Sequence, residues 1–415
     1  MKKHIGGIFL FLTFFSSVFF AQNNLIEKLL NENKDLLGEV ISKADSFEVQ
    51  IIYTQINRDK NNFPSFTTYS YRVNPKNYFY PASMVKLPLA ALSLEKLNDL
   101  GIKGLDKNSR MEIDSSYIKQ TALSVDTSSP NGYPSIALLI KRVFLVSDND
   151  AYNALYEFLG QKTINHTLHA KGYKDVKIIH RFIGGLSLDD NRKTNGLKFF
   201  DGDKVIYDQT PQVNDEEYKF DLNKLFKGIG YLDVNDKLIN KPFDFTNKNY
   251  ASLQVLTNIL KAVIFPEAVP KKMRFNLTKD DYKFLYKYMS MFPRESEFPG
   301  YDTSYHDDYV KFLLFGGSLK NTNGKIRSFN KVGLAYGTLT DVAYIVDFEN
   351  KVEFMLSATI LVNKDGIFND NKYDYQQIGL PFLANLGKVI YNYELKRPKK
   401  YLPDLSKFAF RYKPN

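Results

Sequence analysis

Cysteine and tryptophan are both missing from this 415-residue chain. The lack of cysteine excludes disulfide bonds, thiol nucleophiles and cysteine-ligated metal sites together. The chain also has no block of like charge, because the 56 basic and 46 acidic residues behind its formal charge of +10 are spread along the sequence. Nucleic-acid-binding proteins usually cluster their basic residues, so we expect no nucleic-acid partner.

What is present is the composition of a folded globular protein. Hydrophobic residues make up 44% and charged residues 25% of the chain, close to the average for soluble domains. A chain of this length buries about three quarters of its unfolded surface, so its core needs no covalent cross-links. Disordered, collagen-like and polytopic membrane proteins are excluded.

The one long hydrophobic run lies at the N-terminus. Lys2 and Lys3 precede an apolar stretch over residues 5–20, which Ala21 and Gln22 follow. This order is typical of a secretory signal. We therefore predict a signal peptide over residues 1–21, a periplasmic or secreted protein, and no stable membrane span after cleavage. The alternative is an N-terminal anchor, since the run is almost long enough to span a bilayer.

Apolar periodicity downstream predicts a sheet built from both ends of the chain. The expected strands are Phe47–Ile56, Phe66–Val73, Val342–Phe348 and Val352–Val362. The expected helices are Leu25–Lys43, Met84–Leu97, Ile136–Leu145, Ala151–Leu159, Lys162–Ala170, Leu253–Ile264, Lys279–Met291 and Gln376–Glu394. We assign residues 22–80 and 331–400 to a sheet lobe and residues 81–330 to a mostly helical lobe. Within the helical lobe, residues 186–249 are expected to form a long loop or a small inserted module.

A serine and a lysine three positions apart stand at the start of the second expected helix. Ser83 and Lys86 fall on one helical face, so the ammonium can reach the hydroxyl, as a nucleophile and its base require. The helix N-terminus adds partial positive charge and backbone N–H groups that favour an oxyanion. Alone the pattern is weak, because a helix-capping serine and a surface lysine give the same spacing.

Two further short motifs follow in order. Ser147-Asp148-Asn149 stands between two expected helices, and Lys331-Val332-Gly333 precedes an expected strand. Ser, Asp and Asn are also favoured helix N-caps. Serine penicillin-recognising enzymes, however, combine S-x-x-K, S-D-N and K-T-G elements in this order.

On these motifs the chain resembles the class A β-lactamase family and the related penicillin-binding proteins. The resemblance implies an α+β fold of the β-lactamase/transpeptidase-like type, with an antiparallel sheet flanked by helices and an all-helical lobe. It implies a serine hydrolase that forms an acyl-enzyme with a small-molecule β-lactam or a cell-wall peptide, without a cofactor. A D,D-peptidase-like enzyme, an esterase and a non-hydrolytic penicillin-binding or envelope protein are the alternatives.

The resemblance also implies catalytic roles. Ser83 is expected to be the acylated nucleophile and Lys86 its base or base partner. Ser147 is expected to relay the proton to the leaving nitrogen, and Lys331 to supply positive charge beside Ser147 and the substrate carboxylate.

Substrate-binding roles follow from the same resemblance. Asn149 is expected to hydrogen-bond the substrate amide. Gly333 and Leu334 are expected to contact the substrate, and the backbone N–H groups of Ser83 and Leu334 to form the oxyanion hole.

Two departures from the family pattern bear directly on the chemistry. Residues 180–185, where class A enzymes carry a deacylating glutamate, hold no carboxylate, so we expect slow deacylation unless Asp189 or Asp190 takes that role. Val332 stands where the family has a hydroxyl residue, and Leu334 and Ala335 stand where polar carboxylate binders are usual. We therefore expect weak recognition of a substrate carboxylate.

One pair of histidines has a spacing that can hold a metal. His166 and His169 are three apart on an expected helix. With no third ligand nearby in the sequence, we expect a surface pair and no metal site.

Overall fold

The computed structural model describes residues 25–115, 122–318, 322 and 324–412. The predicted signal peptide lies outside these ranges. Within them, no helix is both long enough and apolar enough to cross a membrane.

The strands follow the chain from an N-terminal hairpin to a C-terminal three-stranded unit, with many short strands between them. They are β1 (Gln50–Arg58), β2 (Pro64–Tyr71), β3 (Arg110–Ile113), β4 (Val176–Lys177), β5 (Lys193–Thr194), β6 (Leu197–Asp201), β7 (Lys204–Gln209), β8 (Gln212–Val213), β9 (Phe226–Lys227), β10 (Gly230–Leu232), β11 (Leu238–Ile239), β12 (Phe243–Asp244), β13 (Tyr250–Ala251), β14 (Ile326–Ala335), β15 (Thr338–Asp347), β16 (Val352–Leu361) and β17 (Ile367–Phe368).

The helices occupy the chain start, the middle and the C-terminal region. They are α1 (25–32), α2 (Lys34–Ser42), α3 (Lys86–Leu100), α4 (Ile136–Leu145), α5 (Asn149–Leu159), α6 (Gln161–Ala170), α7 (Leu188–Arg192), α8 (Leu253–Ile264), α9 (Lys279–Ser290) and α10 (Leu380–Lys396). The single opening helix expected at Leu25–Lys43 is wrong: it is two helices, and Gly38 inside the second has a positive φ of 34°. Glycine adopts this conformation at no steric cost.

A five-stranded antiparallel sheet in the order β14-β15-β16-β1-β2 forms the centre of the fold. Strand β15, next to the edge strand β14, is buried on both faces, so its side chains alternate between two cores. Val342 and Tyr344 face the core shared with α8 and α9, and Ala343 and Ile345 face the core shared with α2 and α10. The predicted α+β fold, with an antiparallel sheet between helices, is confirmed.

The helical lobe packs around α3, which contacts α4, α5 and α8. The 3₁₀ turn Ala82–Val85 directly precedes α3 and lies against β14. The start of α3 therefore lies where the helical lobe meets the edge of the sheet.

Residues 186–249 form neither one long loop nor a compact sheet of their own. They contain α7 and the short strands β5 to β12, paired into several small sheets. One of these sheets includes β3 of the helical lobe, and another includes β17 near the chain end. The assignment of lobe boundaries remains a prediction.

Candidate active site

Ser83 lies in the 3₁₀ turn and lines a cleft of about 580 Å³. The preceding Ala82 has a positive φ of 46°, a conformation that costs free energy for a residue with a Cβ. Ser83 is half-buried, and its hydroxyl makes no hydrogen bond to any residue that the structure describes. It is therefore available to a ligand in the cleft.

Lys86 is fully buried at the start of α3, with its ammonium turned towards the S-D-N motif. Its Nζ donates hydrogen bonds to the Ser147 carbonyl oxygen and, over 2.7 Å, to Asn149 Oδ1; Ser147 Oγ is 3.4 Å away. Lys86 is expected to reach Ser83, but the structure shows no direct hydrogen bond between these two residues. Burial lowers the pKa of Lys86 to about 7, although Asp148 and Asp150 oppose the shift. An amine with this pKa is partly neutral near pH 7 and can accept a proton.

Lys331 reaches Ser147 from strand β14 of the sheet. Its Nζ donates to Ser147 Oγ and to the Val332 carbonyl oxygen, each over 2.9 Å. Burial lowers the pKa of Lys331 well below its usual value, and the nearby charge of Lys86 lowers it further. Ser83, Ser147 and Asn149 thus line one cleft, and Lys86 and Lys331 join them through hydrogen bonds to Ser147.

The backbone around Ser147 is fixed by its neighbour Asp148. The Asp148 carboxylate accepts the Ala151 N–H over 2.9 Å and so caps α5. Arg142 joins Asp148 to the buried Asp126 through ion pairs of 2.8 and 2.6 Å. Ser147 itself has a positive φ of 59°, and this capped, ion-paired turn supports that conformation.

Strand β14 approaches the nucleophile turn closely because residue 333 is glycine. A Cβ on Gly333 would lie 3.0 Å from Met84 Cγ and closer still to the Pro81 carbonyl oxygen. Any side chain here would push the sheet edge away from Ser83.

The hairpin after Gly333 sets the direction of the next backbone N–H. Ala335 pairs with Thr338 across a two-residue turn in which Tyr336 and Gly337 both have positive φ, 52° and 72°, as in type I′ turns. Such a turn is closed by a hydrogen-bonded pair, and pairs alternate along an antiparallel ladder. The N–H of Leu334 therefore points away from β15, towards the free edge of β14 that faces the nucleophile turn.

The far wall of the cleft was not predicted from the sequence. Its residues lie between α9 and β14, belong to no motif, and reach the cleft only through tertiary contacts. The members that line the cleft are Ser304, His306, Asp308, Tyr309, Val310, Phe312 and Gly317. Asp308, an acidic member of this wall, is 5% exposed.

Residues 180–185 approach the site through Phe182, which lines the cleft with its ring centroid 5.1 Å from Lys86 Nζ. Its backbone N–H donates to Asn153 Oδ1 over 2.8 Å. The two aspartates considered as replacement bases do not line the cleft. Asp189 forms an exposed ion pair with a lysine, and Asp190 caps α7.

The histidine pair has ordinary polar partners. His166 contacts Glu216, and His169 contacts the Val176 carbonyl oxygen over 2.8 Å. Within the described parts of the chain, no three potential ligands cluster as a metal site would need.

A helical lobe set against a five-stranded antiparallel sheet, with serines and lysines at their junction, defines the architecture of a β-lactamase-like hydrolase. The profile described as the β-lactamase enzyme family matches residues 34–279, and the chain belongs to this family. The resemblance drawn from the motifs is confirmed. Ser83, Lys86, Ser147 and Asn149 fall within the matched range, whereas Lys331 lies beyond it.

Solved structures of β-lactamases are similar at low identity. The class A β-lactamase from Clostridium kluyveri is 14% identical with a TM-score of 0.47, covering 87% of this chain and 99% of its own. The β-lactamase from Sphaerobacter thermophilus is 12% identical with a TM-score of 0.46, covering 87% and 96%. That from Burkholderia phymatum is 11% identical with a TM-score of 0.44, covering 91% and 98%. No curated protein matches the chain.

Proposed function

We propose that this protein is an exported serine hydrolase that forms an acyl-enzyme at Ser83 with a β-lactam or a related amide or ester. One observation carries the proposal: Ser83, Ser147 and Asn149 line a single cleft, and two buried lysines hydrogen-bond Ser147 from behind it. Nucleophile, proton carrier and positive charge are the parts that acyl transfer needs.

The contacts of Ser147 support the second half of a proton route, and the serine-lysine motif implies the first half. Ser83 Oγ attacks the carbonyl carbon and gives its proton to the neutral Lys86 amine. The bond to the leaving nitrogen or oxygen then breaks, and Ser147 Oγ donates a proton to that atom. Ser147 regains a proton from the Lys86 ammonium, 3.4 Å away. The net change is transfer of the acyl group to Ser83 and of the serine proton to the leaving group.

Oxyanion stabilisation would come from backbone N–H groups. The Leu334 N–H at the free edge of β14 and the Ser83 N–H at the start of the 3₁₀ turn are the two donors we assign. Removing one such donor typically costs 10²- to 10³-fold in rate.

Hydrolysis of the acyl-enzyme would be slow. Phe182 occupies the part of the cleft where residues 180–185 approach Lys86, and it offers no base for a water molecule. A long-lived acyl-enzyme would also suit a penicillin-binding protein.

The test is covalent labelling with a fluorophosphonate, which needs an activated serine but no particular acyl group. We expect one adduct, mapped by mass spectrometry to Ser83, and its loss in Ser83→Ala. Ser304→Ala is the matched control, because Ser304 also lines the cleft. Labelling that persists in Ser83→Ala would remove the basis of the proposal. Export is tested separately by N-terminal sequencing of the native protein, which we expect to begin near Gln22.

A further inference from the structure

We propose that the cleft selects substrates whose acyl group is apolar and uncharged, such as medium-chain esters, over substrates that carry a carboxylate. The inference rests on the proposed acyl-serine function and adds the substrate class. It concerns the walls of the cleft and leaves the roles of Ser83 and Lys86 unchanged.

The sheet side of the cleft is apolar where it borders the oxyanion position. Val332, Leu334 and Ala335 line it in succession. Leu334 is 41% exposed, so much of its side chain is open to a ligand. Its backbone N–H is one of the two donors assigned above, so a substrate held there lies beside this leucine.

The rest of the lining combines hydrophobic and polar residues. Its hydrophobic members are Tyr80, Val146, Phe182, Tyr309, Val310, Phe312 and Leu380, and its polar members away from the motifs are Ser304, His306, Asp308 and Gln376. Ligand sites of about 300–1,000 Å³ with mostly apolar walls and a few polar groups are typical of small-molecule binding. A cleft of about 580 Å³ has room for a chain of several methylene groups.

The charged side chains at the cleft are engaged within the protein itself. Asp308 lines the cleft and is 5% exposed, and a substrate carboxylate brought near it would meet a like charge in a poorly solvated site. The two ammonium groups nearby are buried, and their hydrogen bonds go to Ser147, Asn149 and the Val332 carbonyl oxygen. A substrate carboxylate would lose its hydration against apolar side chains, which is costly without a paired donor.

The experiment compares two esters of equal chain length. 4-Nitrophenyl hexanoate and the 4-nitrophenyl half-ester of adipic acid differ in ending with a methyl or a carboxylate group. In each case Ser83 Oγ bonds to the acyl carbon, the bond to 4-nitrophenolate breaks, and the serine proton is released to solvent with that anion. We expect the first-turnover burst of nitrophenolate to be at least tenfold faster with the hexanoate.

The variant Leu334→Lys places a cation at the open edge of the cleft. We expect it to speed acylation by the adipate half-ester and by a fluorescent penicillin about tenfold, without speeding acylation by the hexanoate. Leu402→Lys is the matched control, because Leu402 is 66% exposed and lies outside the cleft. It should change neither rate.

The outcomes separate this inference from the proposed function. Loss of fluorophosphonate labelling at Ser83 would defeat the proposed function itself. If labelling is intact, acylation by the adipate half-ester or the penicillin that is as fast as acylation by the hexanoate, or faster, overturns the substrate class but not the proposed function. The substrate class is also overturned if neither ester acylates a protein that the fluorophosphonate labels normally.

Discussion

Lys331 Nζ and Ser147 Oγ form a hydrogen bond of 2.9 Å between residues 184 positions apart. Lys86 Nζ lies 3.4 Å from the same hydroxyl. Two ammonium groups that share one small, buried site repel each other, which contributes to the lowered pKa of Lys331. The arrangement concentrates positive potential at the hydroxyl that would protonate a leaving group.

Removing the Lys331 charge should slow acylation. In Lys331→Met, Ser147 loses a charged donor, and we expect labelling by a fluorophosphonate to slow about 10²- to 10³-fold, the usual cost of one preorganised electrostatic contact. Stopped-flow or quenched labelling measures the rate. Lys388→Met, on the exposed side of α10, should behave as wild type. A rate within threefold of wild type for Lys331→Met would show that this lysine does not assist the reaction.

Acylation should depend on pH through Lys86. Because its pKa is lowered to about 7 and only the neutral amine accepts a proton, the rate should rise with pH around 7 and level off above about pH 8. Lys86→Arg should lose this rise and be slower by about 10²- to 10⁴-fold, the range for a general base. A wild-type profile that is flat from pH 5 to 9 would contradict the role.

The lowered pKa of Lys86 also predicts how the stability of the fold changes with pH. The folded pKa of about 7 lies below the ordinary value of 10.5, so between these values the unfolded chain binds the extra proton. Stability owed to this group therefore rises with pH across that window and is lowest below about pH 7. Lys86→Met should raise the melting temperature more at pH 6 than at pH 9. A larger rise in melting temperature at pH 9 would show that contacts in the folded protein compensate the free-energy cost of burying the ammonium.

A methyl group at Gly333 should disturb the site without unfolding the protein. Gly333→Ala places a Cβ against the Pro81 carbonyl oxygen and Met84, so β14 must move away from the nucleophile turn. We expect at least a 100-fold slower labelling of Ser83 with a cooperative unfolding transition retained, since a small misplacement of reacting groups can cost this much. Gly184→Ala is the control, because its Cβ would meet no atom within 4 Å.

Asp341 holds the far wall of the cleft to the sheet. Its buried Oδ2 accepts the N–H groups of Phe312 and Leu313 over 3.0 and 2.9 Å, and its Oδ1 accepts Asn330 Nδ2 over 2.8 Å. Asp341→Asn replaces one of the two acceptor oxygens by an amide donor, so either the two backbone N–H groups or Asn330 Nδ2 loses its acceptor, and the fold should be destabilised by about 1–3 kcal/mol. Urea unfolding measures this, with the exposed Asp236→Asn as control. Amide exchange at Phe312 and Leu313 should speed up more than exchange in α8.

Turnover should begin with a burst. Acylation has its groups in place, whereas residues 180–185 bring Phe182 to the cleft in place of a carboxylate, so a chromogenic cephalosporin should give at most a stoichiometric first phase and a slow second one. Asp189→Asn and Asp190→Asn should leave both phases unchanged, since neither residue lines the cleft. Fast steady turnover that disappears in Asp308→Asn would instead make Asp308 the base for deacylation.

Local patterns predicted much of the secondary structure. The helices α4 and α8 match the expected bounds Ile136–Leu145 and Leu253–Ile264, because an apolar stripe of helical period is written within the segment itself. The expected opening helix is interrupted at Asn33, between α1 and α2, and is kinked again at Gly38, where backbone conformation outweighed apolar periodicity. Strand β15 begins at Thr338, ahead of the predicted Val342, because pairing with β14 extends it to the hairpin turn.

The sequence by itself determined the family and the short motifs, because Ser83 with Lys86, and Ser147 with Asn149, are brought close by a few residues of local backbone. Only the tertiary structure decided that Lys86 turns to Ser147 and not to Ser83, and that Lys331 meets it there. It also decided which residues face the motifs, including the wall from Ser304 to Phe312. The reason is physical: helix periodicity and turn chemistry act over a few residues, whereas burial, charge repulsion and cleft shape depend on segments that meet only when the whole chain has packed.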